Sequence, residues 1–332
     1  MRRSELVTLL KGSVLNGGGP TTFVDELEGG GGQGWYRAWL RFELDFVLGT
    51  GSGAKTDEPE LSIIKGITLR SDKNEYFVNA QSGRAMYDWA RRKMGRAPRK
   101  DAFAAATAKY YTTIPLLFAD DELARAEDTI IDTGRYESMT LQVVMGGVSD
   151  LLTTVGTSTV AFKVWLVAER TTGRLIESQL PIRYVSYDSS PSIDLTAQTV
   201  VKLDRGDGIR IKRLLIYSGS GGSVGVPFSG VPVNTIIETV EMEDTIAFPV
   251  REQVFDLLQD KNSAEYALET APVGRGYLDF MLVDENGSLF SSYDTAKQAK
   301  VDLNFTIKAG APANPIVSVG VEQIRELVGA AA

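Results

Sequence analysis

The stretch WYRAWLRFELDFVL, residues 35–48, decides how this chain is read. Its even positions, Tyr36, Ala38, Leu40, Phe42, Leu44, Phe46 and Leu48, are apolar, and its odd positions include Arg37, Arg41, Glu43 and Asp45. Side chains of a strand alternate between faces, so this period of two predicts a strand with one buried face and one polar face. A buried parallel strand that feeds a nucleotide-binding loop reads instead as a continuous apolar run. The distinction matters because the next residues, GTGSGAKT at 49–56, come close to the phosphate-cradling pattern G-x-x-x-x-G-K-[ST]. Ala54 stands where the second glycine belongs, and Asp57-Glu58-Pro59-Glu60 follows where an amphipathic helix is required. After it comes LSIIKGITLR, another extended segment. The stretch is read as a loop between two strands, which sets aside a P-loop NTPase.

Composition narrows the function classes further. The chain has 332 residues, enough for one large domain or two of ordinary size. With 35 basic and 43 acidic side chains its net charge is −8, which argues against broad nonspecific binding of nucleic acid. It has no cysteine, which excludes disulfides, thiolate nucleophiles, zinc ribbons and iron–sulfur clusters. It has no histidine, which removes serine–histidine triads, imidazole metal sites and the commonest general base. No apolar run reaches the ~18 residues of a membrane span. At the N-terminus, MRRSELVTLLKGSVLNGGG is broken by Glu5 and Lys11 and does not read as a secretory signal. It predicts a short helix from Ser4 to Lys11 that buries Leu6, Leu9 and Leu10. Glycine runs at Gly17–Gly19 and Gly29–Gly32 flank PTTFVDELE, so residues 1–34 are expected to form a glycine-rich arm. Such an arm either orders against a neighbour or a membrane, or stays an untethered tail. Arg2, Arg3 and Lys11 would add a weak attraction to anionic lipid.

Extended segments dominate the rest. Strands are predicted at Leu61–Arg70, Glu75–Asn79, Asp128–Asp132, Met139–Met145 and Thr159–Ala168. One helix, Ser82 to Met94, carries Ala85, Met86 and Trp89 on one face and Arg91, Arg92 and Lys93 near its end, where they suit the dipole. After a transitional segment at 170–192 the pattern restarts. LTAQTVVKL and IRIKRLLIYSG read as strands joined by DRGDG. A helix from Pro249 to Leu258 is expected to bury Val250, Val254, Leu257 and Leu258. YLDFMLVDENGSLFSSY carries an Asn286-Gly287 hairpin signal, and VDLNFTIKAG and NPIVSVGVEQIREL close the chain. The halves echo each other. IIKGITLRS (63–71) aligns with IRIKRLLIYS (209–218), and IPLLFADDEL (114–123) with YLDFMLVDEN (277–286). MTLQVVMGG (139–147) aligns with VDLNFTIKAG (301–310), and TVAFKVWLVAER (159–170) with PIVSVGVEQIRE (315–326). The repeat is one of pattern rather than of identity.

About eight strands per ~150 residues, with one helix after the first few, predict a jelly roll of two facing sheets. The expected fold is mainly β: two tandem eight-stranded jelly rolls, each with a short inserted helix, over 35–172 and 173–332. On WYRAWLRFELDFVL, IIKGITLRSDKNEYFVNA with SGRAMYDWARRKMG, and TIPLLFADDE leading to DTIIDTGRYESMTLQVVMGG, the chain resembles a known family. It is similar to the double jelly-roll major capsid proteins of tailless, membrane-containing icosahedral bacteriophages of the corticovirus, tectivirus and finnlakevirus type. That resemblance implies a coat protein made in the host cytoplasm and located in the virion. It implies pseudo-hexameric homotrimers that tile an icosahedral shell over an internal membrane. The implied partners are further copies of the chain, penton and minor capsid proteins, and the membrane or its proteins, with no sequence-specific nucleic acid. The alternative is a carbohydrate-binding or receptor-binding spike built from jelly rolls.

Under the coat reading, function lies in lateral surfaces, and Trp35, Trp39 and Trp165 are candidate anchors that otherwise pack within one subunit. No catalytic, cofactor-binding or metal residue is assigned, and an enzyme is not expected. Asp120, Asp121, Glu122, Glu127 and Asp128 form an acidic cluster without calcium-loop spacing, so structural calcium lacks a supporting motif. Arg205-Gly206-Asp207 spells an adhesion tripeptide but is read as a tight hairpin turn. No pair of carboxylates stands out for glycoside hydrolysis.

Overall fold

The computed structural model describes residues 2–15, 20–29, 31–55, 58–120, 123, 125–177, 180–222, 224–226, 228, 230–244, 252–265, 274–279, 292–296 and 298–327. In chain order its first unit, which ends at Tyr184, contains β1 (Arg2–Leu15), β2 (Thr21–Glu28), β3 (Gly34–Val47) and β4 (Ser52–Ala54). The single-turn helix α1 (Pro59–Ser62), β5 (Ile64–Ser71), β6 (Tyr76–Gln81), helix α2 (Gly83–Met94) and β7 (Ala108–Leu117) come next. β8 (Ile131–Asp132), β9 (Ser138–Met145), β10 (Leu152–Thr154) and β11 (Thr159–Thr171) complete it.

Two sheets form from these strands. One has the order β1-β11-β3-β7, with β8 continuing along β3, and the other has the order β2-β9-β5-β6. All these neighbours are antiparallel. Successive strands cross from one sheet to the other at nearly every connection, which is the jelly-roll winding. The inward rows are apolar: Leu40, Phe42, Leu44 and Phe46 from β3, Val160, Phe162, Val164 and Leu166 from β11, and Met139, Leu141, Val143 and Met145 from β9 are all buried. Phe23 of β2 meets Phe162 of β11 edge-on, 6.3 Å between ring centres, which ties the two sheets together.

Helix α2 is set by its ends. Ser82 is its N-cap, and its hydroxyl accepts from the Ala85 amide at 3.1 Å. Gly95 ends it in the left-handed region at φ 62°. Ala85, Met86, Tyr87, Trp89 and Ala90 are buried, so the helix covers core while Arg91, Arg92 and Lys93 sit at its C-terminal end.

The second unit starts at Val185, within β12 (Arg183–Ser189). It continues with β13 (Ile193–Asp194), β14 (Val200–Lys202), β15 (Ile209–Ser220), β16 (Val231–Pro232), β17 (Ile237–Asp244) and β18 (Glu252–Val254). Helix α3 (Phe255–Glu265), β19 (Arg275–Asp279), β20 (Tyr293–Asp294), β21 (Val301–Ile307) and β22 (Pro315–Glu326) follow. Its sheets are β12-β22-β15-β19 and β14-β21-β17-β18, with β13 on β22 and the short strands β16 and β20 also on β15. This order repeats that of the first unit strand for strand, and α3 precedes β19 as α2 precedes β7. The core includes Ile211, Leu214, Ile216, Val317 and Val319 from one sheet, Val240 and Phe305 from the other, and Phe255 of α3. On the opposite face of this sheet from that core the β15–β22 pair carries a buried ion pair, Arg213 Nη1 to Glu322 Oε2 at 2.8 Å.

Several sequence expectations are corrected. Within the expected arm, residues 2–15 and 21–28 are strands, and Ser4–Lys11 is not a helix. They supply β1 and β2, because β1 finds a full-length partner in β11, from Arg2↔Thr171 to Leu15↔Thr159, and β2 finds one in β9. Tertiary pairing overrides the local helical pattern, and Leu6, expected inside, is 56 % exposed. Residues 59–62 form one helical turn begun by Pro59, not a strand. The second helix starts at Phe255, because 252–254 still pair with β17. That shifts its phase, so Phe255 and Leu258 are buried while Leu257 is 67 % exposed, and Val250 lies outside the described residues. The Asn286-Gly287 signal also lies outside them. DRGDG is not a hairpin: it links β14 of one sheet to β15 of the other. Of the internal alignments, 139–147 with 301–310 and 159–170 with 315–326 fall on equivalent strands. The alignment of 63–71 with 209–218 does not, since β15 is equivalent to β3 and β5 to β17.

Ser82→Ala removes the side-chain acceptor from the first turn of α2. It is expected to cost about 1 kcal/mol of stability, read as a lower urea midpoint at unchanged slope.

Candidate functional site

The polar row of β3 faces away from the core and meets the matching rows of β11 and β7. The register sets Trp39 beside Val167 and Pro115, Arg41 beside Trp165 and Thr113, and Glu43 beside Lys163 and Tyr111. Every second residue on these strands shares a face, so the pairing assembles one connected surface. At one end Glu169 accepts from Arg37 Nε at 2.6 Å and from Trp39 Nε1 at 2.8 Å, while the Arg37 guanidinium lies 5.6 Å from the Trp39 ring centre. In the middle the exposed Arg41 sits 4.7 Å from the Tyr111 ring and 5.6 Å from the Trp165 ring. At the other end Glu43 accepts from Lys109 at 3.0 Å and from Lys163 at 3.1 Å.

These contacts hold the side chains in place at a half-exposed surface. Cation–π contacts at such sites contribute roughly 0.5–1 kcal/mol each. Paired arginine and aromatic rings, with little conformational freedom left to lose, are the composition of protein–protein anchor points. Removal from water raises the Glu43 pKa, but hydrogen bonds and charge from Lys109 and Lys163 outweigh this and hold it below its ordinary value of 4.5.

Of the three expected tryptophan anchors, the structure brings Trp39 and Trp165 to this face, where both are half-buried. Trp35 is corrected: it is 1 % exposed. The register slips at Tyr36, so that Glu169 faces Arg37 while Arg170 faces Trp35, and the alternation that placed Trp35 on the polar side ends there. The acidic cluster does not assemble. Asp120 is fully buried, 3.7 Å from Lys93, and Asp128 pairs with Arg125 at 3.4 Å. Asp121 and Glu122 lie outside the described residues, among which no group of three acidic side chains could hold a metal ion.

Three amides of the glycine loop after β3 are already bonded within the fold. Gly49 donates to Ser158 Oγ, Thr50 to Thr157 Oγ1 and Lys55 to the Leu151 carbonyl, while β4 pairs with β10. These groups tie the loop to residues 151–158 and are not open to a phosphate. In the tripeptide, Arg205 donates to the Gln298 carbonyl and Gly206 to Thr295 Oγ1, so two of its three residues are held by the fold. Sequence reasoning marked Arg37, Arg41 and Glu43 only as a polar row. Tyr111, Lys109, Lys163 and Glu169 were missed as their partners, because only the register brings three distant strands together.

If the lysines hold Glu43 as described, its contribution to stability is present above pH 4.5 and is lost as the pH falls through the lower value in the folded chain. Glu43→Gln is expected to flatten the acid limb of a stability–pH profile measured by thermal melting, with less effect near neutral pH.

No sequence-family model and no curated protein of similar sequence matches the chain. Solved structures do. The major capsid protein P2 from bacteriophage PM2 superposes with a TM-score of 0.60 at 12 % identity, over 99 % of both chains. The Sulfolobus turreted icosahedral virus major capsid protein gives 0.62 at 12 % identity, covering 97 % of this chain and 96 % of that one. The Faustovirus major capsid protein gives 0.56 at 10 % identity, covering 98 % and 91 %. Across nearly its whole length, this chain has the double jelly-roll fold of viral major capsid proteins.

Proposed function

We propose that the chain is the major capsid protein of an icosahedral virion. The observation that carries this reading is the use of almost the entire chain for two jelly rolls of identical winding, a fold shared end to end with viral major capsid proteins. Three copies of a two-unit chain supply six similar blocks, which suits a homotrimer with a pseudo-hexagonal outline that tiles a shell. The role is structural and needs no cofactor. The cation–aromatic face of the first sheet is proposed as one of the contacts between copies, since it offers rigid rings and fixed charges at a half-exposed surface. Around the shell we place penton and minor capsid proteins as further partners, and beneath it an internal membrane or its proteins.

Light scattering of the purified chain, with negative-stain images of the same fractions, tests this. Three times the 36.1 kDa chain mass, about 108 kDa, with a hexagonal outline is the expected result. A stable monomer or an elongated particle would overturn it and favour a spike. Arg41→Glu combined with Trp165→Ala is expected to weaken association by at least about tenfold, with the melting temperature of the separated chain little changed.

A further inference from the structure

Identical copies close into a ring only through a head-to-tail contact, in which one patch meets a different patch of the next copy. The cation–aromatic face of the first sheet supplies one patch, with Arg41 at its centre. Arg37, Lys109 and Lys163 on that face are paired with Glu169 or Glu43. Arg41 is exposed and lies against the Tyr111 and Trp165 rings, and no carboxylate pairs with it among the described residues. A guanidinium stacked on rings keeps the N–H donors of its edge free for a carboxylate. A patch with the opposite need lies on the second unit, on the sheet β14-β21-β17-β18. Val240, Met242, Leu303 and Phe305 are buried in its core, so alternation turns Glu241 and Glu243 of β17 and Asp302 and Asn304 of β21 outward. The register sets Glu243 opposite Asp302, and like charges so placed repel. Glu243 is relieved by Lys300 and by Asn304 Nδ2 at 3.3 Å. Glu241 is exposed and has no such partner among the described residues. On the same face Val254 of β18, opposite Thr239, is 52 % exposed.

We infer that the Glu241 face of one copy receives the Arg41 face of the next, the Arg41 guanidinium donating to the Glu241 carboxylate and Val254 adding apolar contact. The charges select this occupant. A copy of the first face laid on itself sets Arg41 near Arg41, and a copy of the second sets Glu241 near Glu241, and like charges across an interface are costly. Each face therefore disfavours itself and fits the other, which is the pairing a ring requires. Both faces are the outer sides of antiparallel sheets, so one broad surface meets another. The inference rests on the proposed role of the first-sheet face as a contact between copies, and it adds the surface which that face meets.

Exchange of the two charges, followed by light scattering of the full chain, tests it. Arg41→Glu alone and Glu241→Arg alone are each expected to weaken association about tenfold or more. The double variant, in which the charges have changed places, is expected to recover most of that loss. Mixing the two single variants is expected to give complexes that neither forms alone, because each then meets an opposite charge on the other. Melting temperatures of the separated chains report folding. Where a reversal does not fold, Arg41→Ala, Glu241→Ala and their combination take its place, with losses that fail to add as the expected result. A folded Glu241 variant that associates like the unaltered chain, or an exchange that recovers nothing, would overturn the inference while a trimer of the unaltered chain still supports the coat reading. An unaltered chain that stays monomeric would overturn both.

Discussion

The antiparallel pairing of β3 with β11 is the constraint on which the first unit depends. It joins residues separated by more than a hundred positions, from Val47↔Thr159 to Trp35↔Arg170, and so closes a loop that encloses most of the unit. Loop closure of that length costs conformational entropy before any contact compensates it. The compensation comes from both faces at once. Inward, the two strands supply the aromatic and aliphatic rows that pack against the second sheet. Outward, the same register brings Arg37 to Glu169, Arg41 to Trp165 and Glu43 to Lys163. A slip of one residue would exchange the two faces and leave the charges inside. Register, core and surface network are therefore one choice, not three.

The same winding appears in the second unit with little identity to the first. β22 and β15 take the places of β11 and β3. Their chemistry differs in one respect. Where β3 and β11 show Arg37, Arg41, Lys163 and Glu169 outward on a partly exposed face that covers Glu43, β15 and β22 bury Lys212, Arg213 and Glu322. Burying such groups costs desolvation that a packed apolar pair avoids, and partners such as Arg213 with Glu322 offset it. Two copies of one topology thus carry different polar devices at equivalent strands. Topology depends on which positions are apolar, and it leaves the remaining positions free for other uses.

The edge of the first sandwich shows what such freedom permits. β1 and β2 end their respective sheets and are joined across the gap by the Thr8–Asp25 bond and by the Phe23–Phe162 contact. Apolar packing gives way there to the Glu5–Arg170 pair and to Trp35. An edge is where a β-sandwich gives up packing at least cost, because strands there have neighbours on one side only.

The sequence by itself determined the alternation of β3, β9, β11 and β21, the capped helix α2, and the tandem jelly-roll class. The strands and the helix are local periodicities or caps, each written within about a dozen residues, and the class is read from their order along the chain. It also determined that chemistry needing cysteine or histidine is absent, since composition alone settles that. Only the tertiary structure decided that residues 2–15 and 21–28 are strands, because β1 and β2 take their conformation from partners more than a hundred residues away. The same holds for Trp35, whose burial follows from a register slip against β11, and for the bonds that engage the Gly49 and Thr50 amides of the glycine loop. Phase along one strand is a property of its own residues, whereas register, bulges and the partners of an edge strand belong to pairs of strands. No single stretch of chain records them.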